Sequence, residues 1–145
     1  DFGLSRIGPI YQMNTRCRVP IRWLAPETLR QALYTQKSDV WAYGIMCWEI
    51  LNNGIDPYPG MTVPEVNVKV KEGYRMPIDT QGVSKEFADL ITTRCWSDSA
   101  NKRFLMSDIT KSMEKITKIP RPDFSKDNSK EMSKEDSKEK GKKCR

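Results

Sequence analysis

The run Asp39 to Asn52, DVWAYGIMCWEILN, constrains the chain more than any other segment. Wound as a helix, it places apolar residues on nearly every face. Such a helix has to be enclosed, so the remaining sequence must wrap around it. Asn53-Gly54 ends it, with glycine suited to the left-handed turn after a helix. Thr62-Val-Pro-Glu65 reads as a capping box with proline in the first turn, opening a helix to about Lys71 that Gly73 closes. Ser84 opens another helix, with Phe87, Leu90, Ile91 and Cys95 on one stripe. Ser107 opens the last, with Ile109, Met113 and Ile116 at helical spacing. No stretch alternates as a strand. The expected class is mainly α, four or so helices joined by long, proline-containing connections.

Composition breaks near Pro120. Beyond it only Phe124, Met132 and Cys144 are apolar enough for a core, and a Ser-Lys pattern recurs every four residues through Lys126, Lys130, Lys134 and Lys138. Such a segment buries too little apolar area to offset its ordering entropy. Residues 1–119 are therefore expected to form the fold and 120–145 a disordered tail. The formal net charge is +6, part of it in that tail. Glu131, Glu135 and Glu139 dilute the lysines, so disorder is the expectation for the tail and contact with a membrane surface the alternative. No recognition motif or aromatic interleaving supports nucleic-acid binding.

The chain contains no histidine. That excludes Ser-His-Asp and Cys-His hydrolysis, HExxH metalloproteases and any histidine base. Cys17, Cys47, Cys95 and Cys144 are widely spaced and form no CxxC pair, which reads as reduced thiols in a cytoplasmic protein. No apolar run approaches the roughly 18–20 residues of a membrane span. The first residue is Asp rather than Met, so the chain is expected to be part of a longer polypeptide.

The stretch from Asp1 to Glu27 has Gly3, Gly8, Pro9 and Pro20, many polar residues and no period. A connection of that length is normally functional or disordered. It opens with Asp1-Phe2-Gly3 and closes with Ala25-Pro26-Glu27. Asp39-Val-Trp-Ala-Tyr-Gly-Ile45 follows, then Pro57-Tyr58-Pro59-Gly60, then Cys95-Trp96 with Arg103 seven residues after the tryptophan. These five markers, in this order, resemble the protein-kinase catalytic domain from its DFG motif onward. The resemblance covers about residues 1–119 and implies a partial kinase-like fold: an activation segment at 1–27, then the helical C-lobe at 28–119. Pro20-Ile21-Arg22-Trp23-Leu24-Ala25-Pro26-Glu27 is similar to the signature of protein-tyrosine kinases. Pro57 to Thr62, Gly73-Tyr-Arg-Met76 and the placement of Tyr11 nine residues before Pro20 look most like the cytoplasmic Fes/Fer group.

The resemblance implies roles. Asp1 would coordinate the Mg²⁺ that bridges the phosphates of ATP, so it is the catalytic, cofactor-binding and metal candidate. Phe2 would pack under the regulatory helix, and Gly3 would supply backbone freedom. Tyr11 would be the phosphorylated tyrosine of the activation segment, with Arg6, Arg16 and Arg18 as local charge partners. Pro20, Ile21, Arg22 and Trp23 would form the floor under the substrate tyrosine. Glu27 would ion-pair with Arg103. Asp39 would accept hydrogen bonds from the catalytic-loop backbone, although an aspartate there also suits a helix N-cap. Trp41, Trp48 and Trp96 read as core aromatics.

The implied function is membership of a non-receptor tyrosine kinase that moves the ATP γ-phosphate to tyrosine in proteins. The implied partners are tyrosine-containing substrates, an upstream SH2 domain, and the N-lobe and catalytic loop of the same polypeptide. The sequence holds no Gly-rich loop, no strand lysine and no HRD loop, so this stretch alone is expected to be inactive and to bind ATP weakly. Without those neighbours the apolar Asp39–Asn52 helix is expected to stay partly exposed and the isolated chain to be poorly soluble. The alternative is a truncated, catalytically dead kinase-like binding module. Two departures bear on loop geometry: Phe104 stands where the family usually has proline after the arginine, and Ala100 stands where proline is common.

Overall fold

The computed structural model describes residues 5–13, 19–120 and 122. Five helices and one two-stranded ribbon make up the described part: β1 (Ile10–Gln12), α1 (Pro26–Gln31), β2 (Leu33–Thr35), α2 (Gln36–Leu51), α3 (Val63–Lys71), α4 (Lys85–Asp89) and α5 (Met106–Thr117). Short 3₁₀ turns at Ile21–Trp23 and Ala100–Lys102 lie in the connections. The mainly α class stands. The expectation of no strand does not: β1 and β2 pair antiparallel, with Ile10 opposite Thr35, Tyr11 opposite Tyr34 and Gln12 opposite Leu33. Strands of three residues are too short to show an alternating pattern, and their pairing depends on the fold bringing them together.

Helix α2 is the axis of the structure. Thr35 caps it, accepting from the Lys37 N–H at 3.1 Å, while the Ser38 hydroxyl accepts from the Thr35 N–H. The helix thus begins at Gln36 and places Asp39 inside its first turn, which overturns the N-cap reading of Asp39. Val40, Trp41, Ile45 and Trp48 are buried, as are Val66 and Val70 of α3 and Ile109 of α5. Met46 and Ile50 remain exposed on α2, at 45% and 68%. Trp48 donates its indole N–H to the Pro77 carbonyl at 2.9 Å. Asn53 and Gly54 both take positive φ after the helix, at 56° and 78°. Gly54 returns its N–H to Glu49 O.

Local signals placed α3, α4 and α5, whereas α1 was not anticipated from the sequence. Thr62 and Glu65 form the reciprocal capping box of α3. The N–H and hydroxyl of Thr62 donate to the Glu65 carboxylate at 2.7 Å, which lowers its pKa. Because the folded value is depressed, this contribution is present at neutral pH and is lost as pH falls through it. Ser84 caps α4, and the chain then widens into π-helical turns over Leu90–Cys95. There Thr92 and Thr93 donate their hydroxyls back to Ala88 O and Asp89 O, competing with the regular helical ladder. Helix α5 starts one residue earlier than Ser107, because Asp108 accepts the Leu105 N–H and organises the first turn.

The π-helical segment packs onto α2 at Gly44. A Cβ on Gly44 would lie 2.6 Å from Trp96 Nε1 and 3.0 Å from Cys95 Cβ. Trp96 packs at an angle against Trp41, with ring centroids 6.4 Å apart. Burial pushes the Cys95 thiol up to about 12 and also raises Cys47.

Two outcomes are expected. Gly44→Ala should destabilise the chain by about 1–2 kcal/mol in urea unfolding, because the steric cost against rigid neighbours exceeds the roughly 1 kcal/mol gain in helix propensity. Cys47 and Cys95 should resist alkylation at pH 8 until denaturant is added, as read by peptide mass spectrometry.

Candidate functional site

The best-defined polar centre joins two residues far apart in sequence. Glu27 lies in the first turn of α1, and Arg103 follows the Ala100–Lys102 turn. Arg103 Nη1 and Nη2 each donate to a Glu27 carboxylate oxygen at 2.7 Å, a bidentate pair. The Arg103 side chain is fully buried and that of Glu27 nearly so. The other arginine hydrogens go to Lys37 O and Ser97 O at 2.9 Å and to Asp98 O at 3.4 Å. Ser38 donates its hydroxyl to Glu27 at 3.2 Å. Arg103 also lies over the Trp41 ring at 5.0 Å, and Arg75 lies over the same ring at 4.5 Å. A buried cation is tolerable here because its donors are all accepted.

Next to α1 runs the turn carrying Pro20, Ile21, Arg22 and Trp23. Pro20 is exposed and the other three are half-buried. The Trp23 indole N–H donates to Glu49 Oε2 on α2 at 2.9 Å. Arg22 reaches across to the loop before α3, donating to the carbonyls of Pro57, Tyr58 and Met61. Sequence reasoning missed this clamp. Its acceptors are backbone atoms 35 to 39 residues away, and no residue type announces them.

Tyr11 sits half-buried on β1, its ring 6.4 Å from that of Tyr34 on β2. Arg6 lies over the Tyr11 ring at 5.4 Å. Beside this ribbon a cleft of about 490 Å³ is lined by Ser5, Arg6, Tyr11, Tyr34, Gln36 and Asp39, among others. Asp39 also borders a smaller cleft of about 370 Å³ with Leu105, Met106 and Ser107. Its side chain reaches solvent, yet partial burial between the two clefts raises its carboxyl above the usual range. Tyr11 and Asp39 thus share one cleft, while Glu27 and Arg103 share another centre. Asp1, Phe2, Gly3, Arg16 and Arg18 lie outside the described residues. Among the described residues no group of three or more His, Cys, Asp or Glu side chains gathers to hold a metal.

Phe104 departs from the expected proline for a visible reason. Its N–H donates to Arg94 O at 3.1 Å, a bond proline lacks, and the Arg94 guanidinium covers its ring at 4.8 Å.

The family model described as protein tyrosine and serine/threonine kinase matches residues 1–113. The chain belongs to this kinase family. The kinase chain is 39% identical over 117 residues to Fer-related kinase 1 of Caenorhabditis elegans, covering 80% of this chain and 30% of that protein. It is 40% identical over 116 residues to tyrosine-protein kinase receptor Tie-1 of Danio rerio, covering 80% and 62%. Against tyrosine-protein kinase Fer of Rattus norvegicus the identity is 38% over 120 residues, covering 81% and 14%. The chain therefore spans less than two thirds of each of these relatives.

Separating the buried ion pair is expected to be costly. Arg103→Met, which strands the Glu27 carboxylate, should lower stability by about 3–5 kcal/mol. The double variant Glu27→Met/Arg103→Met should lose less than the sum of the two single variants. Urea midpoints of the four proteins test this coupling.

Proposed function

We propose that the chain is the C-lobe portion of a protein-tyrosine kinase that transfers the ATP γ-phosphate to tyrosine hydroxyls in proteins. In this reading residues 1–27 are the activation segment, 28–119 the helical lobe and 120–145 a tail outside it. One observation carries the reading. The turn whose residues resemble the tyrosine-kinase signature is hydrogen-bonded to both α2 and the Pro57–Met61 loop, beside the Glu27–Arg103 pair. The names of the relatives, tyrosine-protein kinases in two of the three cases, support it.

The roles follow the chemistry of phosphoryl transfer, which depends on positioning and charge stabilisation. Asp1 would hold Mg²⁺, which offsets charge on the transferred group when ATP is bound. Pro20 to Trp23 would support the substrate backbone. Asp39, in its cleft beside Tyr11, would accept backbone hydrogen bonds from a catalytic loop contributed by the same polypeptide. Phosphorylation of Tyr11 would add close to two negative charges to a tyrosine that faces Arg6.

A cytoplasmic, non-receptor setting is the preferred one, resting on the Fes/Fer resemblance. The match to Tie-1 favours a membrane receptor as the second reading. No helix among the described residues is long and apolar enough to cross a membrane. Fractionation of the natural protein between cytosol and membranes decides between the two.

The natural protein is expected to phosphorylate tyrosine in a Glu/Tyr copolymer. Asp1→Asn should lower kcat by at least about a hundredfold, and Tyr11→Phe should blunt activation. The 145-residue polypeptide by itself should transfer no phosphate, because the Gly-rich loop, strand lysine and HRD loop are not within it. Products carrying phosphoserine alone, or full activity in Asp1→Asn, would overturn the reading.

A further inference from the structure

Three backbone carbonyls converge on one side chain. Arg22 Nη1 donates to Pro57 O at 2.6 Å and Tyr58 O at 3.1 Å, and Nη2 donates to Met61 O at 2.6 Å. Three carbonyl dipoles with their negative ends turned toward one point repel each other, and a cation between them reverses the sign of that interaction. A guanidinium does this better than an ammonium, because its planar fork serves several acceptors in fixed directions.

The clamped loop is held in a conformation it would not adopt freely. Tyr58 has φ of 57°, a left-handed backbone that is unfavourable for a bulky residue. It is nonetheless almost fully buried, and its N–H points to Met76 Sδ at 3.0 Å. Pro59 and Gly60, on the same loop, stay exposed. The loop thus has a buried half that Arg22 and the core hold and an exposed half that faces outward.

The turn is tethered on its other side as well, through Trp23 to Glu49 on α2. Arg22 and Trp23 are therefore committed to internal contacts. The most exposed residues at this place are Pro20 on one segment and Pro59 and Gly60 on the other.

We propose that Arg22 is a positioning residue for the polypeptide substrate: it fixes the Pro57–Met61 loop against the Pro20–Trp23 turn, so that the two present one preorganised surface to the residues flanking the accepted tyrosine. The proposal rests on the kinase reading above and assigns Arg22 a specific place in it. Preorganisation lowers the ordering cost of binding a flexible peptide. Loosening the loop should weaken peptide binding and leave the nucleotide untouched.

The test uses the natural protein and its Arg22→Lys and Arg22→Met variants. Steady-state kinetics are run with a tyrosine peptide and with ATP, alongside thermal melting. The KM for peptide is expected to rise roughly tenfold or more in Arg22→Met and less in Arg22→Lys. The KM for ATP should stay within about twofold of wild type. In hydrogen exchange the amides of Tyr58 and Met61 should lose protection ahead of those in α2. If Arg22→Met fails to fold, Arg22→Lys decides the matter by the same split. Equal changes in both KM values, an unchanged peptide KM, or melting of both variants would overturn the proposal and leave the kinase reading intact. A wild-type protein that phosphorylates no tyrosine peptide would overturn both.

Discussion

The guanidinium of Arg103, buried against Trp41 and paired with Glu27, is the contact on which the arrangement of the lobe depends. It joins residues 76 positions apart. It also gathers the start of α2 through Lys37 O and the segment after the π-helical turns through Ser97 O. A buried cation has no tolerance for a missing acceptor, so each of these segments must arrive in one register. The net gain in stability from such a pair is small. Its consequence is specificity, since few other arrangements of the chain satisfy all five N–H groups at once.

The same device appears at two other places around α2. Arg75 donates to Trp96 O, Val70 O and Tyr74 O, and Arg22 donates to three carbonyls of the loop before α3. Long irregular connections carry carbonyl groups that no helix or sheet ladder satisfies. In this lobe, arginine side chains satisfy several of them, some from nearby in the chain and some from distant segments. Burial lowers the Arg75 pKa, yet an arginine stays charged throughout the physiological range.

This organisation gives the lobe a part tied by many long-range hydrogen bonds and a part tied by few, which suits the function proposed for it. The turn at Ile21–Trp23 is tied to α2 and to the 57–61 loop, so the surface proposed for substrate is anchored on two sides. Tyr11, by contrast, sits in a ribbon of two strands of three residues each. A ribbon of that size is marginal without further support. Adding charge to the Tyr11 hydroxyl would alter its packing against Tyr34 at little cost to the core around Trp41 and Trp96.

Features that depend on neighbours within four positions were legible in the sequence. The Thr62–Glu65 capping box, the Ser84 cap, the Asn53-Gly54 stop and the burial of Val40, Trp41, Ile45 and Trp48 all follow from local hydrogen bonding and apolar spacing. The pairing of Glu27 with Arg103 was carried by family resemblance, because nothing in either residue alone points to the other. The β1–β2 ribbon and the carbonyl clamps of Arg22 and Arg75 were not legible. Nor was the need for glycine at position 44, where Trp96 approaches the helix. The sequence by itself determined four of the helical segments (though not α1), which helix is central and which family the motifs resemble. Only the tertiary structure decided which backbone carbonyls meet which arginine. The contacts of Arg22, and that of Arg103 with Lys37 O, join groups dozens of residues apart, and the acceptors are main-chain atoms that every residue carries alike.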